Sequence, residues 1–219
     1  MPNLKVNRYK QKPAQCAIAS AATIANYYDS NIDYEYVQEV VKLYMKSCLN
    51  DGLDSGEIIK LFNLLGFKKV IIVSSDLDLF DYSFNRYGKK KQSMILADIA
   101  KRDKTEWGKG VDRLSRSLRD KKYNNKAIVD YCYGDYIRKS LKDKKPLMLS
   151  FNWELFFKIQ KTNNKGQKDA VKGSYDEHAV VAYGCNKYGV SICDSQWEHY
   201  KYRLKKYHSG LYKMSWEHL

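Results

Sequence analysis

The sequence predicts an α+β fold, with helices in the N-terminal half and an antiparallel sheet towards the C-terminus. Three observations carry that prediction. Residues 16–28, "CAIASAATIANYY", are rich in alanine, lack proline and glycine, and run into Asp29-Ser30-Asn31, so they read as a helix small enough in side chain to pack closely all round. Two further stretches with helical spacing follow before residue 67. Beyond Pro146 the pattern turns to short apolar runs separated by turn residues, as expected of paired strands in one sheet.

In chain order, "DYEYVQEVVKLYMKSCL" sets Tyr36, Val40, Leu43 and Tyr44 on one face and predicts an amphipathic helix with that apolar face. "NDGLDSG" interrupts the chain, and "EIIKLFNLLGF" reads as a short helix closed by Gly66. "KKVIIVSS" reads as a strand. Residues 76–136 are polar, charged and mainly helical in character, a basic elaboration on a single domain spanning 1–219. "DYIRKSLKDKKPLMLSFNW" then predicts a helix, a lysine-rich turn and a buried strand. Residues 161–177 read as a long loop, and "HAVVAYG", "VSICD", "HYKYRLKKY" and "LYKMSWEHL" as the segments of the sheet. No internal repeat is present.

A chain of 219 residues can bury a core of ordinary size, and its composition, 44% hydrophobic and 29% charged, is that of a globular protein. No run approaches the roughly 20 apolar residues of a membrane helix. "MPNLKVNRYK" has no apolar core, so the expectation is a cytoplasmic protein, or one delivered without a cleavable N-terminal signal. Cys16, Cys48, Cys132, Cys185 and Cys193 are widely spread and contain no CxxC pair, which argues against a disulfide framework and a zinc site of usual spacing. No metal or cofactor is expected. The net charge of +14 is concentrated between Arg86 and Lys145. That 86–145 segment is either a solvated helical surface or a docking face for an acidic partner or nucleic acid, although no nucleic-acid motif accompanies it.

The chemistry centres on Cys16. A nucleophilic cysteine has to be a thiolate near neutral pH, which a helix N-terminus and a nearby imidazolium both favour. Cys16 opens the alanine-rich helix. Of the four histidines, His199, His208 and His218 fall in a polar stretch, whereas His178 opens the apolar strand "HAVVAYG". Asp194 ends the next strand, and a tight turn over 186–189 would make His178 and Asp194 cross-strand neighbours, with the aspartate fixing the imidazole tautomer. Trp197, three residues past Asp194, is either a shield for that pair or a core residue. Cys193 alternates to the opposite strand face and is given no role.

"QKPAQCAIAS" at the head of a helix, and "HAVVAYG" followed by "VSICD", resemble the papain-like cysteine peptidases, specifically the C39-like group. "DGLDSGEIIKLFNLLGF" and "IRKSLKDKKPLMLSF" resemble that group's intervening elements, so the likeness covers roughly 8–73 and 136–197 and leaves the basic segment unmatched. The resemblance implies a helical half carrying Cys16 as nucleophile and a sheet carrying His178 as general base and acid and Asp194 as its orienting partner. The implied activity is hydrolysis of a peptide or isopeptide bond in a peptide or protein substrate. It also implies an oxyanion glutamine six residues before the cysteine. That position is Lys10 here, so Gln11 is the first choice and Gln15 the second, and the group's glycine after the cysteine is Ala17. "PAQCAIAS" is similar also to the nucleophile segment of phytochelatin synthases, which implies acyl transfer as an alternative. A third alternative is a catalytically silent basic module on the same scaffold.

Overall fold

The computed structural model describes residues 3–75, 81–152, 161, 167–171, 177–196 and 210–219. The chain is a mixed α+β protein that divides into two compact units, Met1–Tyr34 with Ile137–Leu219, and Glu35–Tyr136. The second unit therefore takes in residues 35–75 as well as the 76–136 segment that the sequence reading set apart.

In the first unit, helix α1 (Cys16–Tyr28) buries every residue from Ala17 to Asn26, because alanines and serines leave room for neighbours on all sides. Numbering the strands along the whole chain, this unit holds β3 (Leu147–Asn152), β4 (Glu177–Asn186), β5 (Gly189–Cys193) and β6 (Leu211–Ser215), paired antiparallel in that order. β4 and β5 are buried along nearly their whole length. β3 is one of the two edge strands and only half-buried, where the sequence predicts a buried one. A two-residue turn joins β4 to β5, and the Asn186 side chain accepts N–H bonds from Tyr188 (2.9 Å) and Gly189 (3.2 Å) to fix it. A bulge between Ala182 and Gly184 turns the Tyr183 carbonyl towards the Leu4 N–H at 2.7 Å. Glycine lets the Asn3 side chain lie against this bulge, since a Cβ on residue 184 would fall 2.1 Å from Asn3 Oδ1.

The second unit contains most of α2 (Tyr34–Tyr44), then α3 (Cys48–Asp51), α4 (Ser55–Leu64), β1 (Ile71–Ser74), α5 (Lys89–Arg102), α6 (Glu106–Arg119) and β2 (Lys126–Val129). β1 and β2 pair in parallel, which calls for a long crossover, and α5 and α6 lie within it. Ile59, Leu96, Val111, Leu114, Leu118 and Val129 form one shared core, which explains why residues before 76 belong with those after. Gly56 permits close approach of α4 to α6: a Cβ there would lie 2.4 Å from the Leu114 backbone nitrogen. α2 differs from expectation. It buries Tyr34, Val37, Gln38 and Val41 and leaves Tyr36, Leu43 and Tyr44 exposed, because both stripes have helical spacing and only packing chooses between them.

α4 and α7 (Gly134–Lys142) end alike. After α4, the Phe67 N–H bonds to the Phe62 carbonyl (3.0 Å) and the Gly66 N–H to Asn63 (3.1 Å), with Gly66 at φ 95. After α7, the Lys145 N–H bonds to Ser140 (2.9 Å) and the Lys144 N–H to Leu141 (3.1 Å), and Lys144 takes the left-handed position at φ 57. A lysine there carries a steric cost that glycine avoids, and Pro146 then blocks any continuation of the helix. Lys144→Gly should stabilise the protein by about 1 kcal/mol, measured as a shift in denaturant midpoint without a change in slope.

Candidate active site

The segment before α1 sets the direction of Cys16. Lys12, Pro13, Ala14 and Gln15 form a turn closed by the Gln15 N–H to Lys12 carbonyl bond at 3.1 Å, with Ala14 at φ 59. Pro13 suits the first central position, whereas the second normally takes glycine, so Ala14 stores local strain next to the cysteine. Tyr34 clamps the turn: its hydroxyl accepts from the Lys12 N–H (3.0 Å) and donates to Gln15 Oε1 (2.7 Å). Cys16 then occupies the first helical position, where its own N–H has no intrahelical acceptor. One turn on, the Ser20 hydroxyl donates to the Ala179 carbonyl at 3.1 Å, which locks this face of α1 onto the start of β4.

His178 lies on β4 and is buried, its ring edge-to-face with Phe151 at 5.9 Å between centroids. The register pairs Phe151 with His178 on one side and Val181 with Cys193 on the other. Continuing that register puts Asp194 opposite Val180, so Asp194 and His178 are diagonal neighbours on one face rather than directly opposed. Asp194 stands just past the end of β5 and is fully buried, with Oδ1 2.9 Å from His178 Nε2. Oδ1 also accepts the Gln196 N–H at 2.8 Å, and Oδ2 accepts the Tyr212 hydroxyl at 3.0 Å. The Asp194 N–H bonds to the Gly210 carbonyl at 2.7 Å.

Cys16 and His178 come together where the start of α1 meets the start of β4, close enough for each to shift the other's pKa. Burial works against a thiolate at Cys16, but the His178 hydrogen bond, the His178 charge and backbone hydrogen bonds from Ala179 and Ala17 outweigh it and lower the pKa below the usual thiol value. For His178, burial disfavours the charged ring, and hydrogen bonds to Asp194 and Cys16 together with their charges lift its pKa to about 9. The combination favours a thiolate–imidazolium pair at neutral pH. Two other cysteines move the opposite way. Burial and the neighbouring Glu57 push Cys48 up to about 11, and burial pushes Cys193 up to about 12 despite Arg8 nearby.

Gln11 and Gln15 both lie close in sequence to Cys16, but their amides are held differently. Gln11 takes the Ser195 hydroxyl on Oε1 (2.7 Å), its Nε2 donates to Gln196 Oε1 (3.2 Å), and its backbone N–H bonds to the Ser195 carbonyl (3.1 Å). It is thus stitched to the residues directly after Asp194, with its amide nitrogen polarity fixed by Ser195. Gln15 is buried with its carbonyl against Tyr34.

No family model, curated protein or solved structure matches the chain. The site therefore has to be read from its own geometry. Ser20, Ser195 and Tyr212 were not singled out from the sequence; the legible signal was the Tyr-x-Met alternation of "LYKMS", which turns Tyr212 and Met214 inward from one strand. Trp197, His199 and His208 lie outside the described residues, as do most of 161–177 and the run "HYKYRLKKY". Among the described residues no group of three or more His, Cys, Asp and Glu is placed to hold a metal, and no helix is long and apolar enough to cross a membrane.

The basic segment forms α5, α6, β2 and α7. A minority of its cations are locally paired, as in Lys109–Glu106 (2.6 Å), Arg113–Asp54 (2.5 Å) and Arg116–Asp112 (2.5 Å).

The pH behaviour of Cys16 follows from the two shifts. With the thiol pKa lowered and the imidazole pKa raised, the ion pair fills the window between them; it is lost by thiolate protonation on the acid side and by imidazolium deprotonation above about 9. At pH 6, iodoacetamide should alkylate Cys16 at least tenfold faster than exposed Cys132, resolved by peptide mass spectrometry. Equal rates would mean that no such pair forms.

Proposed function

We propose that the chain is a papain-like thiol hydrolase that cleaves a peptide or isopeptide bond through an acyl-enzyme on Cys16. The observation that carries this reading is geometric: Cys16 opens a buried helix that Ser20 fastens to β4 beside His178, whose ring is bonded to the buried Asp194 carboxylate. The electrostatics point the same way, with Cys16 lowered by the His178 charge and Cys48 and Cys193 raised by burial. Support comes also from the third group, since Asp194 takes Nε2 of His178 and so leaves Nδ1 as the nitrogen that exchanges a proton with sulfur.

In the first half-reaction the Cys16 thiolate attacks the carbonyl carbon, and the oxyanion collapses as His178 Nδ1–H protonates the departing amine. The product is a thioester on Cys16. In the second, neutral His178 takes a proton from water as the water oxygen attacks the thioester, and the acid is released with the thiol proton shared again between Cys16 and His178. The oxyanion is received by the Cys16 backbone N–H and the Gln11 amide. Among the described residues the Gln11 Nε2 group has one bond, to Gln196, and so retains a second N–H to donate.

Turnover should be abolished by Cys16→Ala and by His178→Ala, and reduced but not lost in Asp194→Asn, whose amide can hold the wrong tautomer. The measurement is an electrophilic peptide probe followed by a peptide and ubiquitin-like substrate panel; a folded wild type that labels elsewhere than Cys16 and cleaves nothing would sink the reading. Gln11→Ala should lower kcat on the order of a hundredfold with little change in KM, and Gln15→Ala much less. The reverse ranking would transfer the oxyanion role to Gln15.

A further inference from the structure

We propose that Tyr212 is a positioning residue of the Cys16 site, gripping the Asp194 carboxylate from β6 so that His178 keeps the orientation and charge that Cys16 requires. The proposal rests on the thiol-hydrolase reading above. Asp194 sits just beyond the last paired residue of β5, so the orientation of its side chain is set by what its carboxylate bonds to. Two of its bonds, from His178 Nε2 and the Gln196 N–H, converge on Oδ1. Tyr212 supplies an anchor on the other oxygen, 3.0 Å from Oδ2, and fixes the plane.

The placement of Tyr212 is itself rigid. It is buried on β6 and paired with Ile192 of β5. Gly210, just before β6, receives the Asp194 N–H, so the same short segment holds Asp194 by backbone and by side chain. A hydroxyl donated to a carboxylate favours its ionised form; an ionised Asp194 favours the imidazolium, and the imidazolium favours the thiolate. Among the described residues, the titratable groups along this relay are Cys16 from α1, His178 from β4, Cys193 beside Asp194 at the end of β5, and Tyr212 from β6. β3 contributes the apolar ring of Phe151, and Arg8 acts on Cys193.

The test uses the full chain and needs no substrate. Alkylation of Cys16 by iodoacetamide is followed against pH, resolved by mass spectrometry, in the wild type, Tyr212→Phe, Asp194→Asn and the double variant. In Tyr212→Phe the rate at pH 6 should fall about tenfold as the acid limb moves up towards the ordinary thiol value of about 8.5. The double variant should be no slower than Asp194→Asn alone, because Tyr212 acts through that carboxylate. A profile superimposable on the wild type, or additive effects in the double variant, overturns the proposal. If Tyr212→Phe does not fold, a chain carrying 3-fluorotyrosine at position 212 alone replaces it: the more acidic phenol is a stronger donor and should move the acid limb down, and an unmoved limb overturns the proposal. A shifted profile without cleavage of any peptide leaves the Tyr212 role standing and removes the hydrolase reading. Cleavage with an unshifted profile removes Tyr212 alone.

Discussion

The first unit is organised around one buried hydrogen bond, His178 Nε2 to Asp194 Oδ1 at 2.9 Å. Burying an ionisable pair is unfavourable unless each partner is neutralised and its remaining polar atoms are satisfied. That requirement reaches outward through the sheet. It needs the tight β4–β5 turn to bring the two residues to one face, a backbone N–H from Gln196, and a hydroxyl from β6. It also explains why the strand that begins with a histidine is otherwise Ala-Val-Val-Ala: a dry surround strengthens the pair and has no competing polar group.

α1 answers a different constraint. Its side chains are small so that the helix can lie close to β4, and Ser20 then fastens it at the Ala179 carbonyl. Closeness brings the first residue of the helix to the histidine, and the strained turn at Ala14 determines where the helix starts. Cys16, His178 and Asp194 thus come from three elements, held in place by main-chain pairing and by side-chain bonds such as that of Ser20. Such rigidity is what preorganised polar chemistry demands.

The second unit holds itself together by other means. An apolar core shared by α4, α5, α6 and β2 is joined by a buried amide pair, Asn63 and Asn125, bonded in both directions at 3.2 and 2.8 Å. On its surface, pairs such as Lys109–Glu106 and Arg116–Asp112 are exposed and contribute little stability.

Local sequence patterns determined much of this protein on their own. The alanine run, the Gly66 terminus, the Asn186–Gly189 turn and the two central strands were legible because each is decided by residues within a turn or two of one another. The candidate Cys16, His178 and Asp194 were legible for a related reason, as each marks the end of such an element. What the sequence left open was decided by contacts distant along the chain. The buried stripe of α2 depends on which of two helical faces meets a core. β2 is four residues long and acquires strand identity only by pairing with β1. The roles of Ser20, Ser195 and Tyr212 depend on partners 159, 184 and 18 residues away, and no periodicity within one segment encodes such a pairing. Short-range preferences fixed where elements begin and end; only tertiary packing, by excluding water from one set of polar groups, decided which of them had to bond to one another.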